Sequence, residues 1–388
     1  MSDGSLPVIV ILGDGMADLP LEELGGRTPL EYARTPEMDR VARDGICGRL
    51  RTVPDGWEPG SDIANLSVLG YDPHSCYTGR GPLEAVNRGI SLDRGEVAYR
   101  CNLVTEEDGR MIDFTAGHIS SREGAELLES LDGRLPEEVA VHPGISYRNL
   151  LVAAAGEGAK TTPPHDIVGE RVADHLPRGP DAALLIRCME ESRKVFAGHP
   201  VNAARTAAGK RPTTSIWPWS GGKKPSLQPF VERFGRRGGM ISAVDLLNGI
   251  ARCAGMEVIP VAGATGFLDT DYGAKADAAI RALDHLDFVY VHVEAPDEAG
   301  HMGDVREKVR AIEEVDGMVG TVREETDAVV AVLPDHPTPI PLRTHTAEPV
   351  PFAVAGIGSN GCGSFSEREV ASRPVMEAQE FLPFVFGI

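Results

Sequence analysis

Three aspartates and three histidines stand where a chain would place them to hold cations. Asp14 closes the run "PVIVILGD", Asp297 and His301 follow "FVYVHVEA", and Asp335 and His336 follow "AVVAVLP". His345 comes shortly after, in the proline-rich stretch "RTHTAEPVPF". Each apolar run reads as a buried strand, and in open parallel sheets ligands collect outside the carboxyl ends of the strands. The acids are therefore expected to converge on one edge. The four-residue step in "DEAGH" puts Asp297 and His301 on one side if that segment is a helical turn. Carboxylate plus imidazole suits Mn2+, Zn2+, Co2+ or Mg2+. Six such ligands suffice for two ions about 3.5–4 Å apart, an arrangement used for phosphoryl displacement. A lone aspartate after a strand also serves as a turn former, so the argument rests on the three together.

A nucleophile candidate lies in "PGSDIANLSVLGYDP", where Ser61 precedes a short helix. A serine there is commonly an N-cap. Alternatively its hydroxyl points outward, where helix N–H groups favour a phosphate and a metal lowers the hydroxyl pKa. The two readings differ only in where the hydroxyl points. Other routes are poorer: the chain has no G-x-S-x-G elbow, no P-loop and no G-x-G-x-x-G after its first strand.

The elements that must position these groups form an α/β pattern. "TPEMDRVARDG" reads as a helix with Thr35 as N-cap, Pro36 at its first position and Gly45 as its stop. Helical patterns recur in "DAALLIRCMEESRKVFA" and "GMISAVDLLNGIARCAGM", and strands in "LDFVYVHVEA" and "DAVVAVLPD". Helices alternating with apolar strands favour a mostly parallel sheet covered on both faces. Between about 97 and 175 short strand runs ("VAYRCNLVT", "EVAVHPG", "SYRNLLVAAA") alternate with the helix "SREGAELLESL". That α+β character marks an inserted lobe, expected at 96–179 inside a discontinuous catalytic domain at 1–95 and 180–388.

The bulk composition narrows the class. The 388 residues exceed one small core. A formal charge of −20 argues against a nucleic-acid surface, though local charges still permit an anionic substrate. The start "MSDGSLPVIVILGDG" lacks the basic opening of a secretion signal, and no apolar run is long enough for a membrane span. The six scattered cysteines read as reduced thiols, so the expected location is cytoplasmic. Self-association into a homo-oligomer is left open.

The motifs "LGDGMAD", "PGSDIANLSVLGYDP", "YTGRGPLEA", "TTPPHDI", "GATGFLDTDYGAKA", "HVEAPDEAGH", "DHPTP" and "HTAEPVPF" resemble the archaeal-type cofactor-independent phosphoglycerate mutases of the alkaline phosphatase superfamily. The resemblance covers nearly the whole chain in order. It implies an alkaline-phosphatase-like sheet, and two divalent metals. Asp14, Ser61, Asp335 and His336 would surround one metal, and Asp297, His301 and His345 the other. It also implies that Ser61 is a phosphoserine nucleophile converting 3- to 2-phosphoglycerate without 2,3-bisphosphoglycerate, with lobe closure keeping water out. For the small anionic phosphorylated substrate, Arg80, Arg148 and Lys275 are candidate binders of its oxygens, and His118 and His165 candidates from the inserted lobe. The chain departs from the archaeal pattern at Pro337, where those mutases tend to carry serine. It is similar there to a bacterial subgroup with a proposed homoserine kinase role. That kinase activity, or a plain metal-dependent phosphatase, is the alternative.

Overall fold

The computed structural model describes residues 6–154 and 158–388. Two strands open the chain, β1 Val8–Gly13 and β2 Ile46–Arg51. Five lie in its middle: β3 Val97–Glu107, β4 Arg110–Asp113, β5 Val139–Ile145, β6 Arg148–Ala153 and β7 Ser215–Gly222. The rest are β8 Gly238–Ile241, β9 Glu257–Val258, β10 Phe288–Val293, β11 Val329–Leu333, β12 Val350–Ala355 and β13 Val375–Glu377. The chain divides into two units, one of Met1–Tyr77 with Leu227–Ile388 and the other of Thr78–Ser226.

The first unit is built on a sheet of order β13-β2-β12-β11-β1-β10-β8-β9. Every pairing in it is parallel except those of β12 with β11 and β2. Its central strands are apolar on both sides because both sides are covered. Ile9, Ile11, Val289, Val291, Val330 and Val332 share a core with helices Pro36–Asp44, Tyr272–Ala282 and Val305–Glu325. On the opposite face Phe288 stacks on Phe230 at 5.0 Å and meets Phe386 edge-on at 5.5 Å. This is the expected α/β layer arrangement, a mostly parallel sheet with helices on both faces. One helical expectation is corrected: in "GMISAVDLLNGIARCAGM" the first residues belong to strand β8, and the helix is Asp245–Cys253. The short run is buried beside β10, and a strand position there outweighs the helical spacing of its neighbours.

Helix Pro36–Asp44 shows how distant residues complete local signals. Thr35 occupies the N-cap, yet its side chain makes no capping bond. Asp316 does so instead, its Oδ1 accepting from the backbone N–H of Glu37 (3.0 Å) and Met38 (2.8 Å). Burial pushes the Asp316 carboxyl up to about 6 despite those bonds. A raised carboxyl pKa means the folded state holds its proton longer than the unfolded chain does. Its contribution to stability is therefore complete below about pH 4 and is lost as pH rises through about 6. Asp316→Asn keeps the acceptor and deletes the titration. Denaturant unfolding from pH 4 to 7 should show wild type losing stability relative to this variant as pH rises; a constant difference would contradict the assignment.

The second unit is an antiparallel sheet in which β3 pairs with β6, β7 and β4, and β6 with β5. It is wider than the expected 96–179. Strand β7 pairs along β3 from Ala98↔Gly222 to Val104↔Ser215, and helix Ala182–Ala197 buries Leu185, Cys188, Met189 and Phe196 in the same core. Helix Arg80–Asn87 adds Ala85 to a smaller cluster with Ala98 and Leu150. Pro218 sits within β7, which an edge strand tolerates because its outer N–H positions need no partner. The last residue of "SYRNLLVAAA", Ala155, lies outside the described residues. None of the six cysteines is joined in a disulfide. No helix among the described residues is long and apolar enough to cross a membrane.

Candidate metal and nucleophile site

Parallel register brings the strand-end acids together. Leu12 of β1 lies opposite both His292 of β10 and Leu333 of β11. Two residues further on, with the strand period of two, Asp14 and Asp335 emerge side by side on one face. The donor atoms of Asp14, Asp335 and His336 all lie within 4.8 Å of one another, and the three residues are buried. His336 Nε2 is 3.5 Å from Asp14 Oδ1 and 3.6 Å from Asp335 Oδ2. Asp335 is held by the backbone N–H of Gly15 (3.1 Å) and of His336 (2.9 Å).

Ser61 joins this group. The N-cap of its helix, Ser61–Val68, is Gly60 in extended conformation, so Ser61 is the first helical residue. Its hydroxyl lies 3.4 Å from Asp14 Oδ2 and 3.3 Å from His336 Nε2. Those contacts separate the two sequence readings: the hydroxyl faces the acid cluster and does not cap the helix. Asn65, one turn on, braces the arrangement. Its amide nitrogen donates to Ser61 O (2.8 Å) and Asp335 Oδ2 (2.9 Å), while its oxygen accepts from the Tyr290 hydroxyl (2.6 Å). Sequence reasoning missed Asn65; the available signal was its four-residue spacing from Ser61.

A second group forms beside helix Ala295–Met302, where Asp297 and His301 face one way as an i,i+4 pair. His301 Nε2 is 3.3 Å from Asp297 Oδ2, His345 Nε2 is 3.4 Å from Asp297 Oδ1, and the two Nε2 atoms are 2.9 Å apart. The outer ring nitrogens fix the tautomers. His301 Nδ1 is 3.0 Å from Arg343 O, His345 Nδ1 is 3.4 Å from Pro59 O, and His336 Nδ1 is 3.3 Å from Thr338 Oγ1. A carbonyl accepts only, so in neutral His301 and His345 the proton sits on Nδ1 and each Nε2 presents a lone pair to the group.

The electrostatics fit a site built to hold a cation. Burial, then the charges of Asp335, Asp297 and Glu294, push the Asp14 carboxyl well above its usual range. Asp14 Oδ1 is buried with no hydrogen-bond partner. His292, another residue the sequence reading missed, has both ring nitrogens buried and without a hydrogen bond. Its Nε2 is 3.0 Å from Asp14 Oδ2 but is misaligned for a bond, and burial pulls the imidazole down to about 4. Two imidazole lone pairs facing at 2.9 Å repel unless positive charge lies between them. Hydrogen bonding to Asp297 lifts His301 to about 9, so without metal a proton supplies that charge. Buried orphan donors of the Asp and His type match a divalent first-row metal or Mg2+.

The candidate substrate residues separate into three cases. Lys275 is buried in the first unit, its ammonium donating to His292 O at 2.9 Å. Helix Tyr272–Ala282 turns it into the sheet, so it steadies the end of β10 and is not open to a substrate oxygen. In the second unit, Arg80, Arg148 and His165 gather around Arg100. Burial, and then the like charges of Arg80 and Arg148 working against Glu84, lower the Arg100 pKa. Arg100 lies over the Trp219 ring at 4.5 Å and pairs with Glu84 at 3.0 Å. His165 meets the same Trp219 edge-on at 5.3 Å. Arg100 was missed, although an arginine inside the apolar strand "VAYRCNLV" was the visible signal. His118 is exposed at a left-handed turn (φ 48°), its backbone N–H donating to Thr115 Oγ1 at 3.0 Å. No described contact joins it to the arginines.

Comparison with known proteins follows the same lines. The family described as 2,3-bisphosphoglycerate-independent phosphoglycerate mutase matches residues 42–202. A protein of that name from Methanothrix thermoacetophila is 54% identical, across 90% of this chain and 91% of its own. A "probable" mutase of the same name from Geobacter sulfurreducens is 49% identical, across 94% of each. Among solved structures, a Pyrococcus horikoshii protein aligns with TM-score 0.85 and 29% identity, covering 99% of this chain and 97% of its own. The cofactor-independent phosphoglycerate mutase of Thermoplasma acidophilum aligns with TM-score 0.68 and 26% identity, covering 98% and 99%. On this likeness along nearly its full length, the chain belongs to the 2,3-bisphosphoglycerate-independent phosphoglycerate mutase family.

Proposed function

We propose that this protein interconverts 3-phosphoglycerate and 2-phosphoglycerate through a phosphoserine at Ser61, without 2,3-bisphosphoglycerate. The observation that carries the reading is the Ser61 hydroxyl, free of capping duty and directed at Asp14 and His336. Asp14, Ser61, Asp335 and His336 would hold one divalent metal, and Asp297, His301 and His345 a second. When bound, such ions lower the serine pKa and offset charge on the phosphoryl oxygens.

Ser61 Oγ attacks the substrate phosphorus, forming a new P–O bond while the bond to the glycerate 3-oxygen breaks. The proton lost by Ser61 is made good on the departing glycerate hydroxyl. Asn65 holds the Ser61 backbone against Asp335, so the nucleophile is placed before substrate arrives. The positive end of helix Ser61–Val68, which Ser61 opens, favours the phosphate charge on Ser61. Arg80, Arg100 and Arg148 are the proposed fork for the glycerate carboxylate. Return of the phosphoryl group to the 2-hydroxyl completes the exchange and regenerates Ser61.

Pro337 does not favour the kinase alternative. Its backbone bridges Met16 and Ala17, and its carbonyl accepts from Thr346 N–H at 3.0 Å. That is the work of a loop strut, and the relatives' names point to the mutase. In a coupled assay, Mn2+-loaded protein should turn over 3-phosphoglycerate with no bisphosphoglycerate added. Chelation should abolish that turnover, and homoserine plus ATP should give no phosphohomoserine. Folded, metal-loaded protein that leaves 3-phosphoglycerate untouched would end the proposal.

A further inference from the structure

We infer that Thr338 is a positioning residue that couples the two ligand groups, so that its hydroxyl sets the affinity of both for divalent metal. The inference rests on the metal assignment above.

Thr338 is fully buried, three residues beyond Asp335. Its Oγ1 hydrogen-bonds Asp297 Oδ1 and lies 3.3 Å from His336 Nδ1. A threonine hydroxyl has one proton and two lone pairs. The carboxylate can only accept, so the proton goes to Asp297. The hydroxyl is then an acceptor toward His336, which places the imidazole proton on Nδ1. His336 Nε2 is left bare toward Ser61 and Asp14. One side chain thus orients a ligand from each group, and no other described side chain hydrogen-bonds both Asp297 and His336.

The surroundings hold the hydroxyl in place. Thr338 N–H donates to Ala17 O at 3.2 Å, and Thr338 O accepts from Lys308 Nζ at 2.8 Å. Lys308 also donates to Asp18 Oδ2 (2.7 Å) and Ala17 O (3.3 Å), so it ties the loop after β1 to the loop after β11. Gly15 walls the other side. It has φ +60°, and a Cβ there would stand 2.5 Å from Thr338 Oγ1 and 2.6 Å from Asp297 Oδ1. A Cβ on Gly300 would stand 2.5 Å from Thr338 O. Both glycines thus let the backbone approach Thr338 more closely than any side chain would allow.

Partners that orient metal ligands commonly alter affinity by about 10- to 100-fold when removed. A hydroxyl with a merely structural role would move the melting temperature of metal-free protein and leave metal affinity unchanged. The test is Mn2+ titration by calorimetry on metal-stripped wild type, Thr338→Val and Thr338→Ser, with the melting temperature of each metal-free form. The expected result is two ions on wild type, both sites weakened by about 10-fold or more in Thr338→Val, and recovery in Thr338→Ser. Wild-type affinity in Thr338→Val, or loss at one site alone, would overturn the coupling. If the valine variant does not fold, nitrogen NMR of His336 in metal-free wild type decides: a proton on Nδ1 is expected, and one on Nε2 overturns it. Wild type that binds two ions yet lacks mutase activity would end the functional reading and leave Thr338 its role. Wild type that binds none would end both.

Discussion

Ser61→Ala is expected to abolish phosphoryl transfer while leaving metal content close to wild type. The alanine removes the only atom proposed to bond to phosphorus, and no nearby group replaces it. His336 Nε2 and Asp14 Oδ2, the hydroxyl's two neighbours, are engaged within the ligand group. Loss of a nucleophile of this kind costs roughly 10^4-fold or more in turnover. The Asp and His donors remain, since the six come from strand ends, one helix and one loop that do not depend on the Ser61 side chain. Rapid-quench labelling from phosphate-labelled 3-phosphoglycerate should trap a phosphoprotein in wild type and none in the variant. Turnover within tenfold of wild type would rule out the covalent route.

Lys308→Met is expected to produce the largest loss of stability among the buried polar groups. Lys308 and Asp18 are both fully buried and 2.7 Å apart. Burial lowers the Lys308 pKa, and Asp18 works against that shift. Removing the lysine leaves a buried carboxylate without its counter-charge, and breaking such a pair costs about 3–5 kcal/mol. In a unit of this size that is a fall of roughly 10 °C in melting temperature. Adding Asp18→Asn to Lys308→Met deletes the stranded charge and keeps an oxygen for the N–H groups of Leu19 and Ile340. The double variant should recover part of the loss in scanning calorimetry. A double variant less stable than Lys308→Met alone would show that Asp18 was not stranded.

The clustering of the acids and histidines was legible because most of them belong to a local pattern. An apolar run of five or six residues ending in an acid announces a strand and its outlet, and register then aligns Asp14 with Asp335. The i,i+4 pair of Asp297 and His301 needed only a helix to bring it together. What the residues could not reveal was direction. Whether Ser61 caps its helix or faces Asp14 depends on Gly60 taking the cap, and both readings fit one sequence. Lys275 looked like a free cation until helix Tyr272–Ala282 packed it beneath His292. Asn65 and Thr338 matter through partners up to 270 residues away, which no local window contains. The second unit was drawn too small for a similar reason. Helix Ala182–Ala197 resembles any amphipathic helix, and its choice of sheet is a tertiary decision.

All seven proposed ligands, Ser61 included, come from the first unit, while the arginine cluster lies in the segment Thr78–Ser226. On the proposed roles, the groups that would activate the serine and those that would grip the substrate are written in separate passages. Under those roles, changes in the middle segment would revise which hydroxyl receives a phosphoryl group without touching the proposed ligands and Ser61.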